Sequence, residues 1–121
     1  MQVILGDRRS DRRYPLRLQL RYKLLRGNQV LYEGSGVTSS LSRGGVSFET
    51  GRFLPSGLAV EVAIDWPILL RGRDRLTLRI GGRVLRSNGD ETVVRTQHYD
   101  FVRAEPAETG NFQPAEALMF S

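Results

Sequence analysis

The sequence predicts an all-β protein, an antiparallel closed β-barrel of about six strands. Several short segments alternate apolar and polar residues with a period of two, turn residues separate them, and no long helical repeat lies between them. Closure into a barrel would remove the exposed strand edges of an open sheet. With 121 residues, 40% of them hydrophobic, the chain is long enough for one domain with its own core.

The first strand has the clearest alternation. From residue 16 to residue 24, apolar side chains alternate with cationic or amide side chains, which is typical of a strand with one buried and one solvated face. Gly27 and Asn28 then predict a turn. Val30 and Tyr32 resume the alternation, so the two segments are predicted to form a hairpin.

The hairpin leads into a stretch rich in small residues, GSGVTSSLSRGG, from residue 34 to residue 45. Its glycines and serines predict a loop, closed by a tight turn before the next strand. The segment GVSFET, residues 45–50, predicts that strand.

Three further strands are predicted downstream, at residues 58–66, within RLTLRIGGRVLR at residues 75–86, and at residues 93–103. Gly81 and Gly82 interrupt the second of these. Paired glycines fit either a sharp bend within one strand of a barrel or a turn between two shorter strands, and we favour the bend.

The chain is predicted to divide into a flexible N-terminal segment at residues 1–10, the barrel at residues 11–105 and a C-terminal tail at residues 106–121. The tail ends in PAEALMF. A proline followed by good helix formers indicates a short helix, with a frayed terminus as the alternative.

The charge is strongly cationic and lies mainly near the N-terminus. All but one of the 18 cationic residues are arginines, against 13 carboxylates, which gives a formal net charge of +5. Residues 1–26 alone carry eight cationic residues and two aspartates, a net charge of +6. Because arginine presents a planar fork of donors that matches phosphate, an anionic partner is expected.

Enzyme chemistry finds little support in the sequence. There is no cysteine, and His98 is the only histidine, so we expect an ordinary strand residue rather than a catalytic or metal-binding one. The carboxylates form no convincing acid and base pair. No apolar run approaches membrane-spanning length and MQVIL is too short for a signal peptide, so a cytoplasmic domain without a membrane span is expected.

Two motifs carry a resemblance to a known family. RRYPLR at residues 12–17 and SLSRGG at residues 40–45 resemble the two-part signature of PilZ domains, bacterial receptors for cyclic di-GMP. In that family RxxxR, often preceded by an arginine, approaches the barrel and (D/N)xSxxG lies between strands. Arg13 and Arg17 match the first motif, and Ser42 and Gly45 match two of the three positions in the second.

The resemblance covers about residues 7–104, because the alternating strands, GRVLR and YDFVRAE also resemble the family's barrel. Two other registers, Arg8 with Arg12 and Arg9 with Arg13, also satisfy RxxxR. We choose Arg13 with Arg17 because a predicted strand begins immediately after Arg17, as the family pattern requires.

The resemblance implies a binding site for cyclic di-GMP. The arginines would contact phosphates and stack on guanines, Ser42 would bond at close range, and Gly45 would allow backbone approach and a φ angle closed to other residues. The implied ligand-binding residues are Arg12, Arg13, Arg17, Ser40, Ser42 and Gly45.

Ser40 departs from the family pattern, which has aspartate or asparagine there. A carboxylate can accept hydrogen bonds from both N–H groups at a guanine edge, whereas a serine hydroxyl offers one short-reaching oxygen. Loss of such a charge-assisted bond costs about 1.5 to 3 kcal/mol, which weakens binding roughly tenfold to a hundredfold. Ser39 could partly substitute, so a weak receptor and a non-binding relative both stay open.

The expected function is that of a non-enzymatic receptor or adaptor. Cyclic di-GMP would reorder the N-terminal arginine segment, and this change would pass a signal to a downstream protein partner. The alternative is a degenerate PilZ-like barrel that acts as a protein-interaction module, with weak or no ligand binding. A nucleic-acid-binding barrel ranks lower because Tyr14 and Tyr22 are too few to stack on bases, and no cofactor or metal is expected.

Overall fold

The computed structural model describes residues 13–104, which form six antiparallel strands and no helix. These residues therefore contain no helix that could cross a membrane. The strands are β1 (Gln19–Arg26), β2 (Gln29–Ser42), β3 (Gly45–Glu49), β4 (Ala59–Leu70), β5 (Asp74–Ser87) and β6 (Thr92–Arg103). They follow one another around a closed barrel in the order β1-β2-β3-β6-β5-β4. The predicted all-β barrel is therefore confirmed. The predictions for residues 1–10 and 106–121, and Arg12, lie outside the described residues.

Apolar side chains from all six strands fill the barrel interior. Tyr22 is fully buried among them, with ring centroids 5.5 Å from Phe48 and 6.0 Å from Tyr32. Its hydroxyl forms a 2.9 Å hydrogen bond with the Thr50 hydroxyl, and burial raises the pKa of Tyr22. Leu54, from the connection between β3 and β4, adds a further buried side chain to this core.

The first strand begins at Gln19, three residues later than the alternation predicts, although Leu16 and Leu18 do pack against the core. The Thr38 side chain explains the difference. Its hydroxyl accepts a 2.8 Å hydrogen bond from the Leu18 backbone N–H and donates to the Leu16 carbonyl oxygen. A side chain therefore replaces part of the backbone ladder here, and Pro15 has no N–H to contribute.

The predicted loop over residues 34–45 is wrong, because β2 continues to Ser42 and only the turn at Arg43 and Gly44 separates it from β3. Small residues are needed in this strand because its neighbours come close. A Cβ atom on Gly36 would collide with the carbonyl oxygen of Glu49. The glycines reflect crowding in a strand, not the flexibility of a loop.

The two glycines of β5 lie within one continuous strand, which agrees with the bend rather than the turn. The register with β6 shifts between Gly81 and Gly82, and such irregularities increase local bending. The backbone of β6 approaches closely at this point, since a Cβ atom on Gly82 would collide with the Arg95 carbonyl oxygen. A side chain at residue 82 is therefore incompatible with the observed strand pairing.

We expect Gly82→Ala to lower the free energy of unfolding by about 1 to 3 kcal/mol, because the added methyl group must displace the backbone of β6. Urea unfolding monitored by circular dichroism measures this change. Gly44→Ala is the control, since its Cβ atom would meet no atom within 4 Å, and its stability should be unchanged or raised by up to about 1 kcal/mol. Equal losses in both variants would contradict the prediction.

Candidate functional site

Three serine hydroxyls hold the guanidinium group of Arg13. Its Nε donates to Ser40 Oγ at 3.0 Å, its Nη1 to Ser42 Oγ at 3.3 Å and its Nη2 to Ser47 Oγ at 2.9 Å. Every nitrogen of the group therefore has a hydroxyl acceptor, which fixes the plane of the guanidinium. We call this arrangement the serine clasp.

The hairpin of β2 and β3 brings the three serines together. Ser40 lies directly opposite Ser47 across the strand pair, and Ser42 lies opposite Gly45. The register shifts between Thr38 and Ser40, so β2 contains one extra residue there. This bulge lets Thr38 and Leu41 both point into the core, while Ser40 and Ser42 face Arg13 on the outer side.

The segment before β1 positions Arg13 above this hairpin. Tyr14 and Leu41 exchange two backbone hydrogen bonds, of 2.9 and 3.0 Å, and the Thr38 backbone N–H donates to the Leu18 carbonyl oxygen at 2.9 Å. Residues 13–18 therefore run antiparallel to β2, with Arg13 and Arg17 on the exposed side. The RxxxR motif is an extended segment attached to the barrel wall.

Burial differs between the two sides of the clasp. Ser42 is 4% exposed and Ser47 is 5% exposed, whereas Arg13 is an exposed residue. The hydroxyls thus lie beneath the guanidinium, whose outer side faces solvent. Hydroxyl groups orient the cation but carry no compensating charge, so its positive charge is available to an anion.

Arg17 has a charged partner instead. Its Nη2 lies 3.3 Å from Glu49 Oε1, and both side chains are about half exposed to solvent, at 61% and 49%. An exposed ion pair of this kind contributes only about 0.2 to 1 kcal/mol, because water screens it. Arg17 can therefore exchange the Glu49 carboxylate for another anion at low cost.

The structure brings together most of the residues singled out in the two motifs. Arg13, Ser40 and Ser42 are in contact, and Ser42 Oγ also donates to the Gly45 carbonyl oxygen at 3.4 Å. Ser39 is not part of the clasp, because its hydroxyl donates to Glu91 Oε2 at 2.8 Å. It does not bond to Arg13 in place of Ser40.

The role predicted for Gly45 needs correction. Its φ angle is not in the left-handed region, unlike those of glycines such as Gly27 and Gly89. A close approach explains the glycine instead, since a Cβ atom there would lie 2.7 Å from the Val94 carbonyl oxygen of β6. Gly45 thus permits the pairing of β3 with β6, and the predicted special φ angle is wrong.

Ser47 and Glu49 complete the site, and the sequence reasoning missed both. They alternate with Val46 and Phe48, which are fully buried. In a strand this alternation places Gly45, Ser47 and Glu49 on the outer face together. Applying the same period of two to GVSFE, beside the second motif, would have identified them.

A second group of polar side chains lies on the outer face of β4, β5 and β6. Arg79 donates two hydrogen bonds to the Asp100 carboxylate, at 3.1 and 3.0 Å, and this contact holds the pKa of Asp100 below its usual range. His98 is exposed on β6, with its ring over Gly81. Within residues 13–104, no group of three or more histidine and acidic side chains could hold a metal ion.

Comparisons with known proteins identify a family model and a solved structure that are similar to this chain. A family model described as the PilZ domain matches residues 7–108. Among solved structures, the PilZ domain of CeSA from a cellulose-synthesizing bacterium is similar, with a TM-score of 0.52 and 19% sequence identity. That match covers 72% of this chain and 81% of the other. No curated protein matches the chain.

We expect Ser47→Ala to lower the free energy of unfolding by about 0.5 to 1.5 kcal/mol, because it removes the acceptor for Nη2 of Arg13. Urea unfolding measures the effect. Ser35→Ala, at an exposed position of β2, is the control. Its free energy of unfolding should stay within about 0.5 kcal/mol of the wild-type value. Indistinguishable losses in the two variants would mean that the clasp does not stabilise the fold.

Proposed function

The chain belongs to the PilZ domain family, and we propose that it is a receptor domain that binds cyclic di-GMP at the serine clasp. The observation that carries the proposal is the Arg13 guanidinium, which neutral hydroxyls orient while its outer side stays exposed. PilZ domains are receptor domains rather than enzymes. The proposed ligand-binding residues are Arg12, Arg13, Arg17, Ser40, Ser42 and Gly45.

The chemistry of the ligand fits this arrangement. Cyclic di-GMP carries two phosphates and two guanines, which need cationic donors, flat cationic faces and polar groups at the base edges. The exposed side of Arg13 supplies a preoriented cation. Arg17 lies four residues farther along the same extended segment and would exchange the Glu49 carboxylate for a ligand phosphate.

Ser40 would affect ligand binding in two ways, through its hydrogen bond with Arg13 and through its contact with a guanine edge. Its hydroxyl now accepts a hydrogen bond from Nε of Arg13. An aspartate at this position would neutralise part of the Arg13 charge, but it would also accept from both N–H groups of a guanine edge, which a hydroxyl cannot do, and we expect this gain to exceed the loss. We therefore propose that the serine lowers ligand affinity without removing the site.

The proposed response to ligand concerns the chain before Arg13. Residues 13–18 are already bonded to β2 through Tyr14 and Leu18. Ligand binding would therefore reorder residues 1–12 against the barrel, with Arg12 contacting the ligand, and this change would signal to a protein partner.

A second function is a protein-interaction module that no longer responds to ligand. Two observations favour it, namely the serine at residue 40 and the carboxylate of Glu49 beside Arg17. In this case the barrel would contact its partner independently of cyclic di-GMP. The same titration distinguishes the two functions.

Isothermal titration with cyclic di-GMP tests the receptor function. Wild type should bind, Arg13→Ala should abolish binding, and Ser40→Asp should strengthen it roughly tenfold to a hundredfold, since a charge-assisted hydrogen bond contributes about 1.5 to 3 kcal/mol. Ser35→Asp is the control, because it adds the same charge at an exposed position of β2, and it should not strengthen binding.

The outcomes separate the proposals when circular dichroism confirms that each variant is folded. An absence of heat for wild type at high protein concentration would refute direct binding. Binding that appears only in Ser40→Asp would favour the interaction module. Equal affinities of wild type and Arg13→Ala would remove the clasp from the site.

Glu49→Gln should raise affinity for cyclic di-GMP by about 1.4-fold to fivefold, because an exposed ion pair that competes for Arg17 is worth about 0.2 to 1 kcal/mol. The same titration measures it. Glu33→Gln, at an exposed position of β2, makes the same change in net charge. An equal gain in both variants would show a general charge effect instead of competition at Arg17.

A further inference from the structure

The hairpin between β4 and β5 ends in an exposed apolar segment. Pro67, Ile68 and Leu69 are three consecutive exposed residues, and the side chains of the last two are large aliphatic groups, 51% and 42% exposed. Such groups are normally scattered singly on a protein surface, whereas an adjacent pair at a hairpin end suggests an interaction site.

The strand pairing explains why this segment stands clear of the barrel. Trp66 pairs with Leu76 and Leu70 pairs with Asp74, so three residues of β4 face only Arg75 of β5. Consecutive residues of an extended chain point in different directions, and the wall of a barrel covers one of them. Since all three are exposed, neither side of the segment lies against the barrel.

Arginines surround the apolar segment. Arg71 and Arg73 lie in the turn and Arg75 follows at the start of β5, and all three are exposed. Asp74 at the start of β5 is the one carboxylate within residues 67–75, and it lies 3.4 Å from a guanidinium nitrogen of Arg103. The hairpin end therefore combines aliphatic side chains with an excess of positive charge.

We propose that this hairpin end docks on the surface of an anionic lipid bilayer. Ile68 and Leu69 enter between the headgroups, and Arg71, Arg73 and Arg75 contact the lipid phosphates. Apolar area and attraction to anionic lipid together give peripheral membrane binding. A lipid surface can surround a projecting segment that is exposed on both sides, whereas a flat acidic protein surface covers one side only.

The hairpin between β1 and β2 provides a matched control. Val30 and Leu31 are also adjacent and are both 42% exposed, but Arg26 is the one arginine in residues 25–32 of that hairpin. Leu25 of this hairpin pairs with Ala59 at the start of β4, so it lies at the opposite end of the barrel from the β4–β5 turn.

Sedimentation with vesicles of phosphatidylcholine and phosphatidylglycerol tests the proposal on the full chain. Wild type should partition onto these vesicles and not onto pure phosphatidylcholine, and added salt should weaken the binding. The double variant I68S/L69S should reduce the partition coefficient about tenfold. Arg71→Ala and Arg73→Ala should each reduce it about fivefold.

The double variant V30S/L31S should bind vesicles as wild type does, and circular dichroism checks the fold of each variant. The proposal would be overturned if the wild-type chain did not bind vesicles that contain phosphatidylglycerol. An acidic protein would then be the expected partner of this hairpin. Undiminished binding by I68S/L69S would also overturn it, because the N-terminal arginines would then account for the attraction. An equal loss of vesicle binding in I68S/L69S and V30S/L31S would also overturn the proposal.

Discussion

A single extra residue in β2 decides which side chains meet Arg13. Without it, a strand of strict alternation would direct Thr38, Ser40 and Ser42 to the same face. The register shift after Thr38 instead leaves Thr38 and Leu41 in the core and turns two serines outward. The serine clasp, and the attachment of the chain before β1, both depend on this local departure from regular pairing.

Hydroxyl groups give the site a character that carboxylates would not. They accept hydrogen bonds from all three nitrogens of Arg13, so the cation is oriented without being neutralised. Arg17, in contrast, is held by Glu49 in an exposed pair. One arginine is therefore preorganised and the other must change partner, which divides the cost of anion binding unequally between them.

The sequence predicted the barrel well because alternation reports directly on the inner and outer faces of strands. The resemblance carried by the two motifs assigned Arg13 and Ser42 to one site, and their side chains are in contact. The loop assigned to residues 34–45 was wrong because composition does not distinguish glycines required by close packing, such as Gly36, from glycines in turns. The period of two in GVSFE would have placed Ser47 on the outer face, but its position opposite Ser40 depends on the register of β2 and β3, which periodicity does not provide.

The way the barrel closes also governs how it forms. β3 is paired on one side with the adjacent β2, but on the other with β6, across a separation of about 50 residues from Gly45 to Arg95. Pairings so distant in the chain carry a large loop-closure entropy and slow the folding of β proteins. During synthesis, the strand that contributes Ser47 gains its second neighbour only after β6 has left the ribosome. The strand that carries Ser47 is therefore held on both sides only once the barrel closes, although the clasp itself lies in the first half of the chain.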